Sequence, residues 1–317
     1  MSDSPVGDDV FGEDPSVNYL QDAFSELLGK EYGLFFPSGT MANQVSLQTL
    51  TRPGDTVIAS QGAHILRYES GSAAGLAGIH IETIGEKSAF SLEELEAAIP
   101  PRDPHRSPVS LVALENTHNY AGGKIVGLET IKEISNMTRK MEIGLHLDGA
   151  RLWNASIATG IPLATWAEPF DTVSCCLSKG LGAPVGSLVA TTKEIGLTLH
   201  RFRKRMGGGM RQAGVLASAG FYAMTHHFDR LTEDHSNAKI LAKKLEEKGF
   251  QVEGEPDTNI VMFRCDGGTR FLQAARELGV LLIAFEEFRF RAVTHLQIST
   301  SDIEKAALLL EEAREKN

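Results

Sequence analysis

The chain has 317 residues, 42% hydrophobic and 23% charged, a globular balance with length enough for a sizeable core and two domains. A formal net charge of −10 speaks against a nucleic-acid partner, which needs a basic face for the phosphate backbone. Three cysteines, with Cys175 and Cys176 adjacent, make no disulfide framework and fit a reducing compartment.

In chain order, residues 1–17 read as an N-terminal arm or loop, acidic and rich in Gly and Asp at the start. Met1 to Pro5 show no basic-then-apolar pattern, so no signal peptide is expected. Residues 18–30 carry helical spacing and stop at Gly29. The run Leu34 to Thr40 leads into a helix from Met41 to Leu50, and Arg52-Pro53-Gly54-Asp55 is a turn before a short buried strand at 56–59. Strand-like runs follow at 79–84, 109–114, 143–147, 172–177 and 186–191, with helical stretches at 91–99 and 128–141. Such alternation predicts an α/β fold with a mostly parallel sheet covered on both faces. Residues 214–248 read as one long helix. Short strands at 259–264, 280–284 and 292–298 then alternate with helices at 268–278 and 301–316. The expected division is a large domain at 18–228 and a smaller C-terminal α/β domain at 229–317. No apolar run approaches the ~18 residues that cross a bilayer, so a cytoplasmic protein without a membrane partner is expected.

Ligands of parallel sheets collect at the carboxyl ends of the strands, and the chemically suggestive residues cluster there. Lys179 follows the apolar run Val173 to Leu177, between Ser178 and Gly180. A lysine at a strand end among small residues can form a Schiff base with a carbonyl cofactor such as pyridoxal 5'-phosphate, if burial or neighbouring cations lower its pKa. A solvated surface lysine fits the same string. Asp148 ends the run Ile143 to Leu147, and a carboxylate there would keep the pyridine nitrogen of that cofactor protonated. Arg151 lies within reach of a phenolate oxygen or a substrate carboxylate; an Asp148 helix cap paired with Arg151 is the other reading. Ser38-Gly39-Thr40 opens a helix, whose N–H groups favour an anion, although an ordinary N-cap looks the same. Arg201 to Arg205 hold four cations ahead of Gly207-Gly208-Gly209, which suits a phosphate dianion or a solvated basic turn. His64 and His118 follow strands, where an imidazole can stack on a ring or move protons. Arg291 could clamp a carboxylate. The sequence has neither Cys-x-x-Cys nor His-x-x-x-His, so no metal site is expected.

Together these motifs resemble the L-threonine aldolase family, β-eliminating lyases of the aspartate-aminotransferase-like fold type I. The resemblance rests on Gly7-Asp8-Asp9-Val10-Phe11-Gly12-Glu13-Asp14-Pro15, Pro37-Ser38-Gly39-Thr40-Met41-Ala42-Asn43-Gln44, Glu115-Asn116-Thr117-His118-Asn119, His146-Leu147-Asp148-Gly149-Ala150-Arg151, Leu177-Ser178-Lys179-Gly180 and Gly207-Gly208-Gly209-Met210-Arg211-Gln212. It implies pyridoxal phosphate linked to Lys179, with Asp148 as the pyridinium partner and His64 stacked on the ring. Ser38, Gly39 and Thr40 would bind phosphate, joined by Lys204 and Arg211 from a neighbouring subunit. Arg151 and Arg291 would hold the substrate carboxylate, with His118 near the β-hydroxyl. The implied assembly is a homo-oligomer, a dimer of dimers. The implied reaction is retro-aldol cleavage of L-threonine or L-allo-threonine to glycine and an aldehyde, with His118, His64 or a water as base. An amino-acid racemase such as an alanine racemase is the alternative, as is an inactive paralogue. Family members carry an Arg-Ser-Asp-Thr arm well upstream of Gly-Asp-Asp, whereas six residues precede Gly7 here, so a shortened arm is expected. Phe11 stands where the family commonly has tyrosine.

Overall fold

The computed structural model describes residues 1–86, 88–101 and 103–316. The chain forms two compact units, Met1–Ala121 with Ile125–Phe228, and the rest from Asp229 together with Gly122–Lys124.

The large unit begins with a single 3-10 turn, Asp9–Phe11. Its elements then run α1 (Pro15–Leu27), β1 (Tyr32–Phe36), α2 (Gly39–Leu50), β2 (Thr56–Ser60), α3 (His64–Arg67), β3 (His80–Ile84), α4 (Leu92–Ala98) and β4 (Val109–Glu115). They continue with α5 (Leu128–Lys140), β5 (Gly144–Asp148), α6 (Leu152–Thr159), α7 (Leu163–Ala167), β6 (Thr172–Cys176), β7 (Ser187–Thr191), α8 (Lys193–Arg205) and α9 (Gly214–His226). Seven strands form one sheet in the order β1-β7-β6-β5-β4-β2-β3. Strands β2 to β6 pair in parallel, and β7 alone runs against its neighbours β6 and β1. The mostly parallel α/β sheet expected from the alternating pattern is what the structure shows. Every residue of β2, β6 and β7 is buried, as covering by helices on both faces requires.

Local chemistry sets the helix ends. Asp14 caps α1, accepting from Ser16 N and Val17 N at 3.1 Å each, with Pro15 in the first turn where its missing N–H is harmless. The same carboxylate accepts from Gly7 N at 3.2 Å and Gly214 N at 2.8 Å. It therefore ties the N-terminal segment and the start of α9 to α1. Arg203, on α8, adds a second anchor: its Nη2 donates to Asp9 Oδ2 at 2.8 Å and its Nη1 to Phe35 O at 2.8 Å, with Asp9 and Arg203 both buried.

The second unit consists of α10 (Leu231–Glu247), β8 (Gln251–Val252), β9 (Ile260–Arg264), α11 (Gly268–Glu277), β10 (Ile283–Glu286), β11 (Arg289–Val293) and α12 (Thr300–Glu315). Its antiparallel sheet has the order β10-β11-β9-β8. Phe250, Phe263, Phe271 and Phe290 pack ring to ring in a core of its own, with centroids 4.9 to 6.3 Å apart.

Two readings need correction. The helix expected over 214–248 is two helices, because residues 227–230 form a turn in which the Phe228 ring packs edge-on against Trp153 at 5.5 Å. The strand expected at 292–298 is β11, which runs Arg289–Val293 and ends there. The basic run Arg201 to Arg205 closes α8, where cations suit the helix dipole.

Candidate active site

Because β2, β4, β5 and β6 are parallel, their carboxyl ends open on one edge of the sheet. The register sets Glu115, Asp148 and Ser174 side by side at that edge. A cavity of about 170 Å³ opens there, lined by Gly39, Thr40, Asn43, His64, Asp148 and Lys179, with Ser174 and Cys176 beneath.

Each residue arrives by a different route. Lys179 lies in the turn directly after β6. Gly39 and Thr40 are the first residues of α2, whose cap is Ser38, with Oγ accepting from Met41 N at 3.2 Å. A side chain at Gly39 would put its Cβ 2.9 Å from Cys176 Sγ, so glycine lets the helix N-terminus settle onto β6. A Cβ at Gly149 would meet Ser174 O at 2.6 Å, so glycine also lets the turn after Asp148 hug β6.

Asp148 is 3% exposed. Its Oδ2 accepts from Asn43 Nδ2 at 2.8 Å and its Oδ1 from Ala150 N at 3.1 Å. Burial pushes this carboxyl up, but the nearby His64 and Lys179, the His146 ring and the Ala150 N–H outweigh it and hold the group below the ordinary aspartate value. Asn43 is a hub. Its Nδ2 also donates to Glu69 Oε1 at 2.9 Å, and its Oδ1 accepts from Ser174 Oγ at 2.7 Å and His146 Nε2 at 3.3 Å. His146, in β5, is fully buried, which pushes its pKa down to about 4 against a weaker upward pull from Asp148.

His64 starts α3. Its backbone N–H donates to Glu115 Oε2 at 2.8 Å, and its Nδ1 lies 2.9 Å from Glu69 Oε1. Burial lowers its pKa, yet the hydrogen bond to Glu69 and the charges of Asp148, Glu115 and Glu69 win, and the net shift is upward. His64, Glu69 and Asp148 offer ligand atoms within 4.8 Å of one another. N–H donors of Asn43 and His64 already bridge these carboxylates.

Other residues singled out by the motifs lie elsewhere. His118 has no exposed surface; its Nε2 is 2.9 Å from Ser60 Oγ and its Nδ1 accepts from Ala121 N at 3.3 Å. Arg151 precedes α6, buried, with Nη1 donating to Asn119 Oδ1 at 3.3 Å. Neither lines the cavity. Lys204 borders a different cavity of about 330 Å³ with His200 and Arg201, and the exposed Arg211 pairs with Asp8. Arg291 is on β11 in the second unit, its guanidinium 5.1 Å from the Phe285 ring centre. Asn43, Glu69, His146 and Ser174 carry the network but were assigned no role by the motifs. Their one sequence signal is the pair of amides Asn43-Gln44 in the middle of a helix, both buried.

A lysine and a buried carboxylate meeting at the strand ends of this sheet define a class. The chain belongs to the β-eliminating lyase family, whose model matches residues 1–267. More narrowly, the low specificity L-threonine aldolase of Escherichia coli (strain K12) is 40% identical over 311 residues, covering 97% of this chain and 92% of that one. The low-specificity L-threonine aldolase 1 of Arabidopsis thaliana is 38% identical over 317 residues, covering 96% and 88%. The solved structure of Leishmania major threonine aldolase matches with a TM-score of 0.83 at 20% identity, covering 98% of this chain and 92% of that one, a likeness of fold. The resemblance read from the motifs is borne out at the level of the family.

Proposed function

We propose that the chain is a pyridoxal 5'-phosphate-dependent aldolase that cleaves β-hydroxy-α-amino acids, L-threonine and L-allo-threonine among them, to glycine and an aldehyde. The observation that carries this reading is the single cavity shared by Lys179, Asp148, His64 and the first turn of α2. Its donor set fits the cofactor: an amine for the aldehyde, a carboxylate kept ionised although buried for the ring nitrogen, and helix N–H groups for the phosphate. Bound there, pyridoxal phosphate supplies an electron sink for the negative charge left at Cα when the Cα–Cβ bond breaks.

The chain's own groups hold and move protons. Asp148 keeps a positive partner at the floor of the cavity. Of the two histidines, His64 borders the cavity while both ring nitrogens of His118 are engaged, so His64 is the group proposed to take the β-hydroxyl proton, directly or through a water. Arg151 and Arg291 are proposed as the substrate-carboxylate partners, and Lys204 and Arg211 as phosphate contacts given to a neighbouring copy. A homo-oligomer is in keeping with the exposed rings of Phe11, Tyr19 and Tyr222. A cytosolic setting is in keeping with three buried free cysteines; among the described residues no helix is long and apolar enough to cross a membrane.

The test is glycine and aldehyde release from L-threonine and L-allo-threonine, run beside D-alanine formation from L-alanine. Aldehyde release lost in Lys179→Ala, together with the visible absorbance of the bound cofactor, is the expected result. No aldehyde above background sinks the proposal, and D-alanine in its place establishes the racemase.

A further inference from the structure

Glu69 belongs to no motif, yet it is 1% exposed and lies against the cavity wall. Its Oε1 receives His64 Nδ1 and Asn43 Nδ2, each at 2.9 Å, and its Oε2 receives Gln44 Nε2 at 2.6 Å. Two features show the chain arranged around this carboxylate. Giving Nε2 to Glu69 leaves Gln44 Oε1 buried with no hydrogen-bond partner, a penalty the contact must outweigh. The next residue, Ser70, has φ 54, a left-handed conformation that a residue with a side chain adopts at a cost and that clusters at functional sites. Ser72 N then donates to Glu69 O at 2.9 Å and fixes the turn.

We propose that Glu69 is a positioning residue for His64, locking the ring in the tautomer with hydrogen on Nδ1 and leaving Nε2 as the proton acceptor offered to the cavity. The inference rests on the aldolase reading for its purpose, though its geometry stands apart from it. A carboxylate only accepts, so the proton between Nδ1 and Oε1 belongs to the ring. The neutral ring then presents Nε2 as a lone pair, which is what removal of a hydroxyl proton needs. Without Glu69 the hydrogen is free to sit on Nε2, where the ring could only donate.

The charges that face His64 come from several elements. Glu69 follows α3, Glu115 ends β4 and takes the His64 backbone N–H, and Asp148 ends β5 and shares Asn43 with Glu69. Lys179, after β6, lines the same cavity, and the Tyr68 ring lies 5.5 Å away. Three carboxylates against one amine raise the ring's affinity for a proton, which makes Nε2 of the neutral ring the stronger base, and Glu69 is the carboxylate that touches the ring.

The experiment uses ¹⁵N NMR of the ring nitrogens in the purified holoenzyme, wild type, Glu69→Gln and Glu69→Asp, beside the pH profile of kcat/KM. Wild type is expected to show hydrogen on Nδ1 once neutral. Glu69→Gln should drop the His64 ionisation by about one pH unit or more. The acid limb of kcat/KM should follow it, with a rate loss of about 10-fold or more, partly restored by aspartate. A wild-type ring with hydrogen on Nε2 overturns the proposal whether or not any variant folds. A Glu69→Gln protein that loses rate while tautomer and titration stay put also overturns it. Wild type with no aldol cleavage but the Nδ1 tautomer would sink the aldolase reading and leave this one standing.

Discussion

Replacing Asn43 by alanine removes the amide that separates two buried carboxylates. Four hydrogen bonds go: two N–H donors to Glu69 and Asp148, and acceptance from Ser174 and His146. Bonds to charged groups contribute about 1.5–3 kcal/mol each, so the two carboxylate contacts account for about 3–6 kcal/mol. The His146 N–H is then stranded, at about 1–3 kcal/mol more, while Ser174 Oγ can fall back on Leu147 O at 3.4 Å. A water entering the vacated polar space returns part of this. The expected net loss is about 3–5 kcal/mol, measured by urea unfolding of cofactor-free protein, since bound cofactor adds stability of its own. A loss below about 1 kcal/mol would refute the reasoning, because unfilled charged bonds of this number cannot be so cheap. Asn43→Asp adds a sign test. A third buried carboxyl beside two others has its pKa raised in the folded state. Its folded form is best tolerated below the unfolded value of ~3.9, and stability must fall as pH rises from there toward 7. A penalty that shrinks with rising pH would be the wrong sign.

Three further outcomes are expected. Asp14→Ala strips the acceptor from four backbone N–H groups and should destabilise by about 3–4 kcal/mol in denaturant titrations; a loss under 1 kcal/mol would show that water replaces the cap. Gly39→Val forces bulk against Cys176 Sγ and should cost about 1–3 kcal/mol of stability with at least 10-fold weaker cofactor binding by fluorescence titration; unchanged affinity would disconnect the α2 N-terminus from the phosphate. His146 ionises at about 4 in the fold against ~6.5 when unfolded, so the unfolded chain takes up that proton first as pH drops. Stability should therefore fall between pH 6.5 and 4 by about 3 kcal/mol from this residue, and His146→Gln should flatten that limb; an unaltered limb would mean that other groups set it.

What the sequence revealed depended on whether a residue acts through its neighbours in the chain. Runs such as 109–114 and 172–177 are apolar and bounded by turns, so they read as strands. Lys179, Asp148, His64 and Gly39 sit just past such runs and share one cavity. The reversal of β7 was not read from the pattern, yet the ten residues between β6 and β7 hold no helix and are too short for a parallel crossover. The break at Phe228 was hidden because the ring it packs against, Trp153, is far away in sequence. Glu69, Asn43, His146 and Ser174 come from α3's trailing turn, α2, β5 and β6. Nothing in any one of these segments marks it as a hydrogen-bond partner of the others, since only the register of β5 on β6 and the seating of α2 bring them together.

The anchors of the N-terminal segment also set a timetable. Asp8, Asp9 and Asp14 find Arg211, Arg203 and Gly214 at separations of 203, 194 and 200 residues, and among the described residues β1 pairs with β7 alone. At ~5–20 residues per second, the ribosome needs roughly 10–40 s to deliver those partners after Asp14 has been made. During that interval the parallel strands β2 to β6 can assemble in order of synthesis, while α1 and β1 can pack on each other and on α2 but still lack β7 and α9. The large unit thus closes from both ends of its sequence at once and late, with the hydrogen-bonding edge of β1 waiting for β7. A nascent chain halted before Ser187, which holds β1 but not yet β7, should be the species most in need of a chaperone.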